Sequence, residues 1–139
     1  MARIDRIKPI EKIPEYYSDF DINLRTNPVT GNLARLTNAE AVKQSIMNLV
    51  LTSIRERPYQ PQLGSQIRRS LFEPVSPITL TQIQESVKEV IENYEPRANV
   101  IRIDVIDALD INSYIVNVIF SIANIQDPQN VQIVLERVR

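Results

Sequence analysis

Glu95, Pro96 and Arg97 set a carboxylate and a guanidinium two residues apart across a proline. Proline disfavours helical geometry at the residue before it, so Glu95 is expected to be extended. Residues two apart in an extended segment project to the same side, so the pair can face one ligand or each other as a bidentate clamp. The plainest version is a solvated turn with a surface ion pair, which contributes only ~0 to 1 kcal/mol. Little else in the chain suggests chemistry. It has no cysteine and no histidine, which removes disulfides, thiolate and imidazole metal sites, Cys or Ser-His nucleophiles and the usual proton shuttle at neutral pH. Neither a metal nor a cofactor is expected.

Composition narrows the field further. The 139 residues suit one ordinary domain. The 17 acidic and 16 basic residues nearly cancel, so there is no global basic field to attract nucleic acid. The chain has no apolar run of transmembrane length, and residues 1 to 12 alternate charge with isoleucine where a signal peptide would be apolar. Residence in a cytoplasm, away from membranes, is the expectation. Two glycines against nine prolines fit a stiff scaffold better than loops that wrap a ligand.

The elements that would position the charged corner follow from periodicity. Residues 1 to 18 interleave Arg3, Arg6, Lys8 and Lys12 with isoleucine every third residue and are broken by Pro9 and Pro14, which predicts an extended or partly helical arm. The remainder, 19 to 139, is read as a single domain. Phe20 to Leu24 alternate and Asn27 to Asn32 are turn formers, which predicts a small hairpin returning at Leu33 to Leu36. Thr37 or Asn38 can cap a helix whose stripe of Val42, Ile46, Leu49, Val50 and Ile54 runs to about Arg57, where Pro58 and Pro61 stop it. Ser65 can cap a short helix to Phe72 that buries Ile67, Leu71 and Phe72 and leaves Arg68 and Arg69 outside. Thr79 and Gln82 make a capping-box-like start for a second long helix with Leu80, Ile83, Val87, Val90, Ile91 and Tyr94 on one face, closed by Glu95-Pro96.

The last third changes period to two. Strands are predicted over 100–106, 113–122 and 130–138, with connections that suit antiparallel neighbours. Tyr114, Val116, Val118, Phe120 and Ile122 line one face of the middle strand, Ile115 and Ile119 the other. In the first strand Ile101, Ile103 and Val105 are expected inward. The fold class is therefore α+β, with two main helices and a short one on a C-terminal three-stranded antiparallel sheet. Such a sheet leaves edges whose unpaired backbone groups can template a partner strand.

The residues that carry a likeness are Asn27-Pro28-Val29-Thr30-Gly31, the helix from Ala41 to Leu49, the segment from Arg57-Pro58 to Gly64-Ser65, Leu71-Phe72-Glu73, and Glu95-Pro96-Arg97 with the strands after it. In this order and spacing, over about residues 19 to 138, the chain resembles the baseplate wedge, or sheath-initiator, family of contractile-tailed phages. Its relatives also occur in type VI secretion and other contractile injection machines. Where many relatives carry a glycine and an acidic residue before the arginine matching Arg57, this chain has Arg55 and Glu56.

The resemblance implies a domain like the C-terminal domain of the tail sheath protein, a non-enzymatic structural role, and a place in the virion tail baseplate after assembly in the host cytoplasm. The partners it implies are baseplate wedge proteins and the tail sheath protein, with six copies around the tail tube. Glu95 and Arg97 are implied to contact the wedge core, and Val131, Ile133, Leu135 and Arg137 to take part in strand exchange with the sheath. Two other assignments are a component of a bacterial secretion machine and a lysozyme-like hydrolase, a label this family has carried. Glycoside hydrolysis needs two carboxyl groups roughly 5 to 10 Å apart across a cleft. Asp19, Asp21, Glu73 and Glu95 are the acids available, without tryptophan or a glycine-shaped pocket around them.

Overall fold

The computed structural model describes residues 14, 16 to 123 and 125 to 137; most of the predicted N-terminal arm and the end of the predicted third strand lie outside them. In chain order the elements are β1 (Ser18–Phe20), β2 (Arg35–Thr37), α1 (Ala39–Leu51), α2 (Ile67–Ser70), α3 (Pro77–Tyr94), β3 (Ala98–Ala108), a 3-10 turn (Leu109–Ile111), β4 (Ser113–Ile122) and β5 (Ile125–Glu136). β1 and β2 form the predicted hairpin, and β3-β4-β5 form an antiparallel sheet in that order. The α+β expectation holds, with the three helices on one face of the sheet.

The core is where the two periodicities meet. Val42, Ile46 and Val50 of α1 and Ile83, Val87 and Ile91 of α3 pack with Tyr114, Val116, Val118, Phe120 and Ile122, the full inward set of β4. Complete burial of a side chain of this size stabilises by ~1.5 to 3 kcal/mol, so this stripe-on-strand contact dominates the fold. On the opposite face Ile106, Ile115 and Val134 form one cross-strand row, and Ile106 and Val134 stay exposed.

Several boundaries differ from the sequence reading. α1 ends at Leu51, six residues before Arg57, because Thr52 turns extended and its hydroxyl donates to Asn48 O at 2.6 Å. Ser53 then pairs in parallel with Ser65. Close approach of a later segment, not the prolines, stops the helix. Asn38 does not cap α1: its side chain accepts from Tyr16 N at 2.9 Å and donates to Pro14 O at 3.0 Å, fastening the incoming chain. α3 starts two residues before Thr79, on Pro77, and Ser76 is its cap, accepting from Thr79 N at 3.1 Å. Proline's fixed φ and missing N–H suit that first position.

α2 is shorter than expected, Phe72 is exposed, and the Ser65 hydroxyl donates to Val50 O at 2.7 Å instead of capping. A bulge between Val100 and Arg102 turns Ile101 outward and packs Val100 on the core in its place. β5 begins at Ile125, so the predicted connection 124–129 is largely strand, with a register shift opposite Phe120 to Ile122 that accommodates Pro128. In the hairpin the alternation is inverted: Asp21 is buried while Phe20, Ile22 and Leu24 are exposed. The Asp21 carboxylate accepts from Asn23 N at 2.9 Å and from Arg25 Nε at 2.6 Å, and these local bonds offset the burial of its charge.

Candidate assembly interface

The charged corner closes on itself. α3 ends at Tyr94, Glu95 N–H donates to Ile91 O at 2.9 Å, and Ala98 N–H returns to Glu95 O at 3.1 Å. Pro96 forbids another helical turn, and the two side chains meet on one side as the spacing predicts. Arg97 Nε lies 2.5 Å from Glu95 Oε1, and Arg97 Nη2 lies 2.6 Å from Oε2. Glu95 is only 2 % exposed, so the pair is no solvated turn. Burial opposes ionisation of Glu95, but the Arg97 fork and a side-chain hydrogen bond from Ser45 of α1 outweigh it and hold the carboxyl below its ordinary range. The carboxylate in turn raises the Arg97 pKa. The guanidinium also stands 5.4 Å from the centre of the Tyr17 ring, within cation-π range.

Chemically, this arrangement is a clamp. Each carboxylate oxygen accepts from the Arg97 fork and the Glu95 side chain is closed off from solvent, which the outer side of Arg97 and the exposed Pro96 face instead. Asp21 is likewise held by its own loop, Asp19 accepts from the neighbouring Phe20 N at 2.8 Å, and Glu73 is exposed. Among the described residues no group of three or more His, Cys, Asp or Glu is placed to hold a metal ion.

The second candidate surface is the outer edge of β5. Val131, Ile133 and Leu135 are buried in the domain's own core, so their side chains are not offered to a partner. Arg137 is mostly buried too: its guanidinium stacks 5.3 Å from the Tyr114 ring centre, Nη1 is 3.8 Å from Asp107, and its N–H donates to Asn112 O at 3.0 Å. That last bond fixes the parity of the strand. Residues that turn their backbone toward a given neighbour alternate along an antiparallel ladder, and pairing with β4 is regular from Val131 to Glu136. Val131, Ile133 and Leu135 therefore bond toward β4, while Gln132, Val134 and Glu136 turn their N–H and C=O outward.

No strand among the described residues pairs with that edge. Beside it lies a groove of about 350 Å³ bounded by Val50, Leu51, Ile67, Leu71, Val134 and Glu136. The odd-numbered set implied by the resemblance lies on the same strand; the period-2 rule, combined with the side that β4 occupies, assigns the outward backbone groups to the even-numbered residues. The opposite edge of the sheet is blunted by the bulge at Ile101 and by the Arg102–Asp104 ion pair at 2.8 Å.

Residues 37–124, from the end of the hairpin through the charged corner to the end of β4, match the model of the baseplate wedge protein gp25 family. The chain belongs to that family. It is 27% identical over 120 residues to the baseplate wedge protein gp25 of Enterobacteria phage T4, covering 86% of this chain and 89% of that protein. Among solved structures it resembles a chain of the R2 pyocin baseplate in the postcontracted state (TM-score 0.52, 25% identity, 70% of this chain and 93% of that one). Its fold is also that of a chain in the anti-feeding prophage baseplate (TM-score 0.60, 20% identity, 88% and 87% covered). A third likeness in fold is to a protein of Geobacter sulfurreducens described as a tail lysozyme (TM-score 0.70, 21% identity, 75% and 96% covered). The gp25-type match spans the Glu95–Arg97 clamp but begins after the hairpin's first strand.

Proposed function

We propose that this family member is a structural component of a contractile tail baseplate that docks on the wedge core around Arg97 and templates the first sheath ring along the outer edge of β5. Its partners in this reading are wedge proteins and the sheath protein, with six copies around the tail tube of the virion after assembly in the host cytoplasm. The observation that carries it is the open edge at Gln132, Val134 and Glu136, on a strand anchored in the core by Val131, Ile133 and Leu135. A fixed strand with free outward N–H and C=O groups accepts an added strand without reorganising. At the corner, Glu95 orients Arg97 through the two-bond fork, and the partner meets the guanidinium's exposed side. The likeness to pyocin and anti-feeding prophage baseplates makes a non-phage contractile particle, including a secretion machine, the neighbouring alternative, and the same edge would serve there.

Proline at position 134 tests the edge, because it removes one outward N–H without touching a bond to β4. Baseplates carrying Val134→Pro should assemble yet fail to nucleate sheath in electron micrographs, whereas Phe20→Ser, remote from this edge, should not affect nucleation. Normal sheath on the Val134→Pro particles overturns the strand-addition reading.

A further inference from the structure

The loop between α1 and α2 is neither part of the core nor near the β5 edge at its tip, and its construction is unusually determined. Its ends are tied where Ile54 N–H donates to Ser65 O at 3.3 Å and Ser65 N–H donates to Thr52 O at 2.8 Å. Inside it, Arg55 N–H donates to Pro61 O at 2.8 Å, Gln60 N–H to Arg57 O at 3.2 Å, and Leu63 N–H to Gln60 O at 3.1 Å. The Glu56 carboxylate accepts from Ser53 N at 2.7 Å, and Tyr94 of α3 reaches across to donate to Gln62 O at 2.7 Å. Arg55 sits at φ 70, a left-handed conformation costly for a residue with a Cβ. Gly64 has φ +129, and a Cβ there would stand 2.6 Å from Thr52 O. Two prolines, Pro58 and Pro61, stiffen the turn between them.

At the tip of this braced loop Tyr59 is 98 % exposed. A lone exposed aromatic needs no explanation, but one held at the apex of a strained, cross-bonded loop contributes nothing to the fold that would account for the bracing. Arg55 and Arg57, which precede it by four and two residues, are exposed and form no ion pair among the described residues. The one acid between them, Glu56, is turned back onto Ser53. The loop therefore presents an exposed amphipathic ring beside two exposed arginines, a stretch that stays net positive because Glu56 offsets only one of them. Preformed loops lose little freedom on binding, and tyrosine and arginine are the side chains that anchor interfaces when they enter a pocket.

We propose that residues 52–65 form a preorganised docking knob, with Tyr59 as its anchor, for an apolar pocket with a carboxylate rim on a neighbouring protein of the assembly. The knob rests on the baseplate reading for its setting; its base at Ser53, Glu56 and Ser65 lines the groove beside the β5 edge, whereas Tyr59 is not among the residues that line it. The partner is a protein, not nucleic acid, because the chain's 17 acidic and 16 basic residues nearly cancel and supply no global basic field.

The test places a photocrosslinking benzoylphenylalanine at position 59, and separately at position 132, in cells assembling the whole particle. Position 59 should crosslink to one protein, at a segment carrying aspartate or glutamate, and Tyr59→Ala should lower recovery of complete baseplates about tenfold or more. Tyr59→Phe should retain most of it, Arg55→Glu with Arg57→Glu should mimic the loss, and the thermal midpoint of the isolated Tyr59→Ala chain should be unchanged. Crosslinking to nucleic acid, crosslinking only at position 132, or normal baseplate recovery with Tyr59→Ala overturns the knob. No crosslink from either position overturns the baseplate reading instead.

Discussion

Replacing Arg97 with alanine tests the clamp most directly. The substitution leaves Glu95, 2 % exposed, without the two bonds of 2.5 and 2.6 Å from the guanidinium, and leaves it the bonds from Ser45 and from the backbone N–H of residue 97. Breaking a buried ion pair by removing one partner costs about 3 to 5 kcal/mol. The Arg97 side chain is 35 % exposed, so water replaces part of what it supplied, and the low end, about 3 kcal/mol, is expected. Loss of the Tyr17 contact adds about 0.5 kcal/mol. For a domain of this size that is a drop of roughly 10 °C in Tm, measurable by circular dichroism.

The pH dependence has a definite sign. The folded-state pKa of Glu95 lies below its 4.5 reference, so the clamp's stabilisation is complete above that value and is lost as pH falls through the folded pKa. In Arg97→Ala, burial is opposed only by the bonds from Ser45 and the residue-97 N–H, so the carboxyl pKa moves up from its parent position and this variant loses less stability on acidification than the parent does. The deficit should therefore be largest at pH 7 and shrink below about pH 4.5. Glu95→Gln with Arg97→Met, which removes both charges, should recover most of the loss at pH 7. A deficit under about 1 kcal/mol, or one that grows with acid, refutes the assignment of a buried structural pair.

Other substitutions probe the surrounding architecture. Gly64→Ala should destabilise by about 2 kcal/mol or more in urea titrations, since its Cβ would overlap Thr52 O at 2.6 Å. Ser76→Ala, removing the cap that bonds Thr79 N, should cost about 1 kcal/mol, whereas Thr81→Ala, on the exposed side of the same first turns, should cost much less in the same assay. Tyr114→Phe should be neutral or stabilising in thermal melts, because the buried hydroxyl has no hydrogen-bond partner. Phe120→Ala, emptying a fully buried site in the middle strand, should cost about 3 to 5 kcal/mol and unfold the domain at modest denaturant.

The parts of the fold that the sequence revealed were those governed by local periodicity. The alternation of β4 contains enough residues of one period that its five named inward side chains are all buried, and in the stripe of α3 Ile83, Val87, Val90 and Ile91 are buried while Tyr94, at the helix end, is exposed. Where a single residue shifts the phase, the reading slipped: the bulge that ejects Ile101 costs one residue and reverses the facing of what precedes it. Phe20 to Leu24 alternate as a strand would, yet Asp21 is the residue inside, because its bonds to Asn23 and Arg25 satisfy it locally while Phe20, Ile22 and Leu24 stay exposed.

The candidate surfaces divide along the same line. Proline at 96 and a two-residue spacing determined by themselves that Glu95 and Arg97 would share one side of a corner, since both consequences follow from backbone sterics. Whether that corner was solvated or buried was decided only by α1, which brings Ser45 to the carboxylate, and by the Tyr17 segment lying beside the guanidinium. Likewise the period of β5 was written in Val131, Ile133 and Leu135, but the strand's outward backbone could be assigned to Gln132, Val134 and Glu136 only once β4 was known to lie on one side of it. Burial and edge are relations between segments distant in the chain, and no local pattern of residues carries them.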